Sequence, residues 1–208
     1  MRLHYTGIFA TINVSKERED TLPMNIRQAS AADMDGIFSL LKTYHVQSIS
    51  PEDKKDGFVT TNMTPEQMTR VIVQENGITV AEEKGTILGF AMAASWDFWK
   101  EWPLFAHMIE KLPEFTLDGQ TLSTENSYQY GPVCVDRSVR GTGVFEEIFY
   151  ASLAQMRSRF PIMATFINQI NPRSYAAHTK KVPMTTAGTF DFNGNRYYLM
   201  ACPTTLTK

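Results

Sequence analysis

An α/β (α+β) fold is predicted by three features of the chain. A valine-rich strand pattern from Tyr130 to Val135 passes through a glycine turn into a helix-spaced segment. Strand-like and helix-like segments alternate ahead of it, and two hairpin signals, Glu83-Lys84-Gly85 and Asn193-Gly194-Asn195, join strand pairs. The 208 residues are 43% hydrophobic, enough to bury one sizeable core. Twenty basic against 22 acidic side chains leave a net charge of −2, which gives no general attraction to nucleic acid or to an anionic membrane. Cys134 and Cys202 both sit in strand-like runs and form no disulfide framework. With no long apolar run and no signal-peptide pattern, the expected compartment is the cytoplasm.

Residues 1–23 read as a flexible N-terminal extension, with Met24 as a candidate start and one domain from 24 to 204 before a short tail, 205–208. Asn25 to Ala29 alternates like a strand. Ser30 and Asp33 form a capping pair for a helix whose apolar face is Met34, Ile37, Phe38, Leu41 and Tyr44. Gln47 to Thr64 is polar and reads as loop. Thr64-Pro65-Glu66-Gln67 opens a second helix, and Gly77–Glu82 and Thr86–Ala93 are strands around the first hairpin turn.

Trp96 to Glu125 reads as a helical insertion ahead of the glycine-loop strand, with Leu104, Phe105, Met108, Ile109 and Leu112 at helical spacing. Its aromatic density fits the wall of an acceptor pocket. Trp99 and Trp102 are the expected wall residues, because Lys100 and Glu101 between them place that turn near the surface.

The stretch from Tyr130 to Arg157 organises the chemistry. The first N–H groups of a helix lack partners and carry the positive end of its dipole. Gly141 and Gly143 keep side chains away from them, and Arg137 and Arg140 bring charge to the rim, which together make an anion cradle. No lysine follows as a P-loop requires, and Glu146 stands where a dinucleotide-binding loop needs a small residue. Glu146 and Glu147 are expected to face solvent.

Arg140-Gly141-Thr142-Gly143-Val144-Phe145 matches Gln/Arg-x-x-Gly-x-Gly/Ala at its arginine and second glycine, and Phe145 departs at the last position. Here the chain resembles the GNAT superfamily of acetyl-CoA-dependent acyltransferases. Asn171 and Ser174 match a second segment of that family, Asn-x-x-Ala/Ser, while His178 stands in the place of a tyrosine that often protonates the departing thiolate. The resemblance implies a mixed, mostly antiparallel sheet flanked by helices. It also implies acetyl-CoA as cosubstrate, with the pyrophosphate on the glycine loop and the pantetheine arm along Val133, Cys134 and Val135, beside Asn171 and Ser174.

Acyl transfer to a primary amine by direct attack then needs a polarised carbonyl, a neutral amine and a proton for the thiolate. Backbone N–H groups near Cys134 are candidate oxyanion donors, and His178 is the candidate acid, with Tyr175 or water behind it. Glu125, Asp97 or a water chain is the candidate base. No metal is called for. The acceptor is left open between a small-molecule and a protein amine, and a homodimer is left open. The other class to weigh is a non-catalytic module or regulator that binds acetyl-CoA, motivated by Phe145, Pro183 and the absent tyrosine.

Overall fold

The computed structural model describes residues 24–208, so the extension assigned to residues 1–23 lies outside the described residues. Strand β1 (Asn25–Gln28) leads through a single 3-10 turn into helix α1 (Met34–Tyr44). The turn is held by the Asp33 carboxylate, which accepts from the Ser30 backbone N–H at 2.7 Å and pairs with Arg27. This partnership holds the Asp33 carboxyl down at about 2.

Helix α2 (Pro65–Val73) starts on the expected reciprocal cap. Thr64 Oγ1 accepts from Gln67 N at 3.2 Å, and Gln67 Oε1 accepts from Thr64 N at 2.9 Å. The hairpin of β2 (Ile78–Glu83) and β3 (Thr86–Ala94) turns on Lys84 and Gly85, both at positive φ.

The insertion holds two helices, α3 (Trp96–Trp99) and α4 (Pro103–Lys111), and a small hairpin, β4 (Thr116–Leu117) with β5 (Gln120–Thr121), which the helical pattern did not announce. There follow β6 (Ser127–Val135), α5 (Val144–Met156), β7 (Ile162–Asn168) and α6 (Pro172–Lys180). The last hairpin is β8 (Thr185–Phe192) and β9 (Asn195–Pro203), turning on Asn193 and Gly194.

Seven strands form one sheet in the order β1-β2-β3-β6-β7-β9-β8, antiparallel throughout except where β6 meets β7 in parallel. Helices cover both faces, and the central strands β3, β6 and β7 are accordingly buried on both sides. On one face α1, α2 and the insertion pack Ile37, Leu40, Met68, Trp96 and Met108 against the sheet. On the other, α5 places Ile148, Phe149 and Leu153 against Tyr130, Met163 and Met200. Among the described residues no helix is long and apolar enough to cross a membrane.

Candidate functional site

The site originates in a failure of strand pairing. β6 and β7 pair only over Ser127–Gln129 and Ile162–Ala164, after which β7 continues against β9 and β6 against β3. At that point β6 carries a bulge opposite Ala91 to Ala93, with Gly131 at φ 113, a conformation glycine adopts without strain. The strands part beyond it, and a cleft of about 460 Å³ opens between them.

Strand alternation decides which backbone groups face the cleft. Asp136 N–H donates to Leu88 of β3 at 2.8 Å. Cys134, two residues earlier, therefore also points toward β3, while Val133 and Val135 point their N–H and C=O groups into the cleft. The Val135 carbonyl accepts from Arg140 Nε at 2.9 Å, which is consistent with that direction. The oxyanion donors expected near Cys134 thus become the amides of its neighbours. The Cys134 thiol is buried, which pushes it up to about 12 and leaves it inert as a nucleophile.

At the glycine-loop end, Gly143 is the N-cap of α5 with φ 94, and a Cβ built on it would meet nothing within 4 Å. The glycine is required by its backbone conformation, and the space above it is open. The first helical bond is Glu147 N–H to the Gly143 carbonyl; among the described residues, the amides of Gly143, Val144, Phe145 and Glu146 have no acceptor.

Arg140 lies across the Tyr44 ring at 4.9 Å and donates to the carbonyls of Val135 and Asp56, and among the described residues it forms no direct ion pair with a carboxylate. Arg137 is drawn aside to Asp53 at 2.9 Å and does not line the cleft. The cleft is instead walled there by Arg173, Lys180 and Lys181 of α6 and its end, with Asp56 and Glu146 as the acidic side chains. Glu146 is half-buried against Lys181 at 3.3 Å, contrary to the expectation that it faces solvent; Glu147 is exposed and reaches Lys208.

At the apex, where pairing stops, the lining changes to Gln129, Thr165, Phe166, Leu104 and Phe105. Gln129 is 3% exposed. Its Nε2 donates to the Tyr130 carbonyl at 2.8 Å, which fixes the amide orientation, and its buried Oε1 has no partner among the described residues.

No family model matches the sequence, and no curated protein does either. Solved structures do match, along nearly their whole length. An N-acetyltransferase from Staphylococcus aureus superposes with a TM-score of 0.55 over 88% of this chain and 99% of its own, at 18% identity. A GNAT superfamily phosphinothricin acetyltransferase from Sinorhizobium meliloti, in complex with AcCoA, gives 0.57 over 88% and 89%, at 15% identity. The ribosomal-protein-alanine N-acetyltransferase of Brucella melitensis gives 0.55 over 86% and 99%, at 16% identity. The fold is that of the GNAT acetyltransferases.

On this GNAT scaffold most of the expected binding positions converge. Val133, Cys134, Val135, Arg140, Gly141, Phe145, Asn171, Ser174 and His178 all line the cleft; Arg137, Thr142, Gly143 and Val144 lie outside the lining. Asn171 also caps α6, its Oδ1 accepting from Ser174 N at 3.1 Å. The Phe145 ring turns inward and meets His178 edge-on at 5.2 Å, leaving a regular helix from Val144 onward.

The candidate catalytic residues differ in where they stand relative to the cleft. His178 Nδ1 lies 2.7 Å from the Ser174 carbonyl, which can only accept, so Nδ1 carries the hydrogen and Nε2 presents a lone pair. Burial pulls its pKa down to about 4, so the ring is neutral at pH 7 and has no proton to give from Nε2. Tyr175 bonds Thr186 and stacks on Tyr198, away from the cleft lining. Glu125 is exposed and held by Thr124 and Ser123, which lowers its pKa. Asp97 is exposed against Lys100 at 2.5 Å. Neither carboxylate lines the cleft.

Trp99 and Trp102, expected as pocket wall, lie outside the cleft lining. Trp99 is fully buried and stacks on Phe105 at 4.5 Å, and Trp102 packs on the same cluster. Leu104 and Phe105, one turn later, are the insertion residues that reach the cleft. Sequence reading missed Gln129, Thr165 and the wall from Asp56 to Thr61, part of a stretch read as loop whose first half is a 3-10 helix, Pro51–Asp56.

Proposed function

We propose that this chain is an N-acetyltransferase that moves an acetyl group from acetyl-CoA to an amine by direct attack within a ternary complex. The observation that carries the reading is the meeting, in one cleft, of an unpaired strand edge and the start of a helix whose first amides are unpartnered among the described residues, Phe145 and Glu146 in the lining and Gly143 and Val144 just outside it. Acetyl-CoA supplies an activated acetyl thioester. The amides of residues 143–146 suit its pyrophosphate, with Arg140 as a cation held in place by carbonyls, and the Val133 and Val135 amides suit the peptide-like arm.

Support for the cosubstrate comes from the fit of those groups and from the AcCoA complex of a structural neighbour. The acceptor is a small-molecule or protein amine, the latter in keeping with the ribosomal-protein-alanine enzyme among the neighbours. The reading needs no covalent enzyme intermediate, consistent with a cleft whose one thiol is buried and protonated.

Calorimetry with acetyl-CoA, followed by thiol release in the presence of an amine panel, tests the proposal. Binding with turnover is the expected result. Tight binding with no turnover for any amine would leave a binding module, and no binding would end the reading.

A further inference from the structure

The apex of the cleft holds a buried acceptor with nothing to accept from among the described residues. Gln129 Nε2 is committed to the Tyr130 carbonyl, and Oε1 is left bare although it is sealed from solvent. Leaving such an oxygen unpaired costs its desolvation with no hydrogen bond in return. A ligand N–H placed there would recover much of that.

The surroundings say which N–H. By strand alternation Ser127 and Gln129 share a sheet face with Ala164 and Phe166, and the Trp96 indole N–H donates to Ser127 Oγ at 3.0 Å, which marks that face as the insertion side. Leu104, Phe105 and Phe166 line the cleft on this side, with Phe105 and Phe166 edge-on at 5.0 Å.

The cleft's carboxylates lie elsewhere. Asp56 is tied to Val135 through Arg140, about 20 Å of strand from Gln129. Glu146, on α5 at the opposite face, is paired to Lys181. His178 packs on that opposite face too, against Tyr130 and Phe145, and Tyr197 has its phenol pushed up by burial.

We propose that the acceptor is a weakly basic amine on an apolar, aromatic body, seated with an N–H on Gln129 Oε1, and that strongly basic alkylamines are poor acceptors because the apex offers an amide where a base would stand. This rests on the acetyltransferase reading. The chemistry follows from the proton count. The nitrogen lone pair forms the C–N bond as the C–S bond breaks, the C–S electron pair stays on sulfur as a thiolate, and the proton shed by nitrogen converts that thiolate to the free thiol. A neutral amine enters that sequence directly. An ammonium must first lose a proton, and among the described residues the apex lining holds no carboxylate or imidazole to take it.

The test compares p-toluidine with phenethylamine, which share an aromatic body and differ in basicity. At pH 7 the first is neutral, whereas an alkylamine as basic as lysine is neutral in roughly one part in 10³. The expected kcat/KM favours p-toluidine at least about 10-fold at pH 7, and the ratio closes by roughly 100-fold between pH 7 and pH 9 as the alkylamine deprotonates. A ratio cancels the protein's own titrations.

Gln129→Glu, which puts a carboxylate at the apex, is expected to raise the phenethylamine rate at pH 7. Calorimetry of p-toluidine binding to the CoA complex is expected to show an affinity loss of about 5-fold in Gln129→Leu, the worth of one hydrogen bond. Gln129→Met keeps that arm decisive where the leucine variant fails to fold. A preference for phenethylamine at pH 7 with a pH-independent ratio, or unchanged p-toluidine affinity in both variants, overturns the proposal and leaves the acetyltransferase standing. Thiol release with neither amine, while acetyl-CoA binds, overturns the acetyltransferase reading and the proposal with it.

Discussion

The two ends of the cleft follow opposite physical plans. The glycine-loop end presents backbone amides, Arg140, Arg173 and two lysines, and its recognition is of charge. The apex presents aromatic rings around a single unpaired amide oxygen, and its recognition is of shape and of one neutral donor. The fold permits both because β6 runs through them. Its distal half borders the loop, and its proximal half is clamped between β3 and β7. A substitution should therefore affect one end and spare the other, unless it strikes the packing beneath both.

The largest effect is expected where packing is struck. Trp99→Ala removes a fully buried indole stacked on Phe105 and should cost about 3–5 kcal/mol in denaturant unfolding. A stable variant with a selective change in acceptor Michaelis constant would return Trp99 to the pocket wall and blur the distinction between the ends.

His178 sharpens the distinction through pH. Its folded pKa, about 4, lies below the ordinary value of 6.5, so the unfolded chain binds the extra proton first as pH falls. The native state is unpenalised above pH 6.5 and loses stability from there down to pH 4, by roughly 3 kcal/mol. In His178→Gln this portion of the acid destabilisation should vanish when urea midpoints are measured across that range. Turnover above pH 7 should show no alkaline limb due to this ring, because it is already neutral there. A limb that His178→Gln abolishes would restore the histidine as proton donor.

Gly143→Val addresses the charged end alone. A β-branched residue at φ 94 is strained, and its side chain would stand in the open space over the helix amides. Acetyl-CoA affinity should fall about 100-fold while acceptor selectivity is preserved. Unchanged affinity in a folded variant would sink the cradle. The smallest effect is expected at Asn171→Ala, which removes a cap and should cost about 1 kcal/mol in denaturant unfolding with acceptor selectivity preserved.

The charged end was legible in the sequence because its determinants are local. A strand, two glycines six to eight residues after it and a helical period all lie within one stretch, and the resemblance to the GNAT pattern rests on the same residues. The apex was illegible because its determinants are distant in the chain. Gln129, Thr165 and Phe105 meet only through sheet pairing and the insertion, and a glutamine in an apolar strand has no periodic signature. Its one signal was a polar residue at a core position just before Gly131-Pro132.

Trp99 was misplaced for a related reason. Neighbours along a helix point about 100° apart, so the exposure of Lys100 and Glu101 says nothing about the indole beside them. Glu125 was credited with proximity to the strand, but it precedes the end of β6 where the strands are still closed.

Amide hydrogen exchange on addition of acetyl-CoA tests the central claim most directly, because it reports both the strand edge and the loop in one experiment. Protection is expected at Val133 and Val135 and at residues 143–146, with the β4–β5 hairpin unchanged. Exchange at those amides that acetyl-CoA leaves as it was, at concentrations where calorimetry shows the protein saturated, would place the cofactor elsewhere and contradict the account.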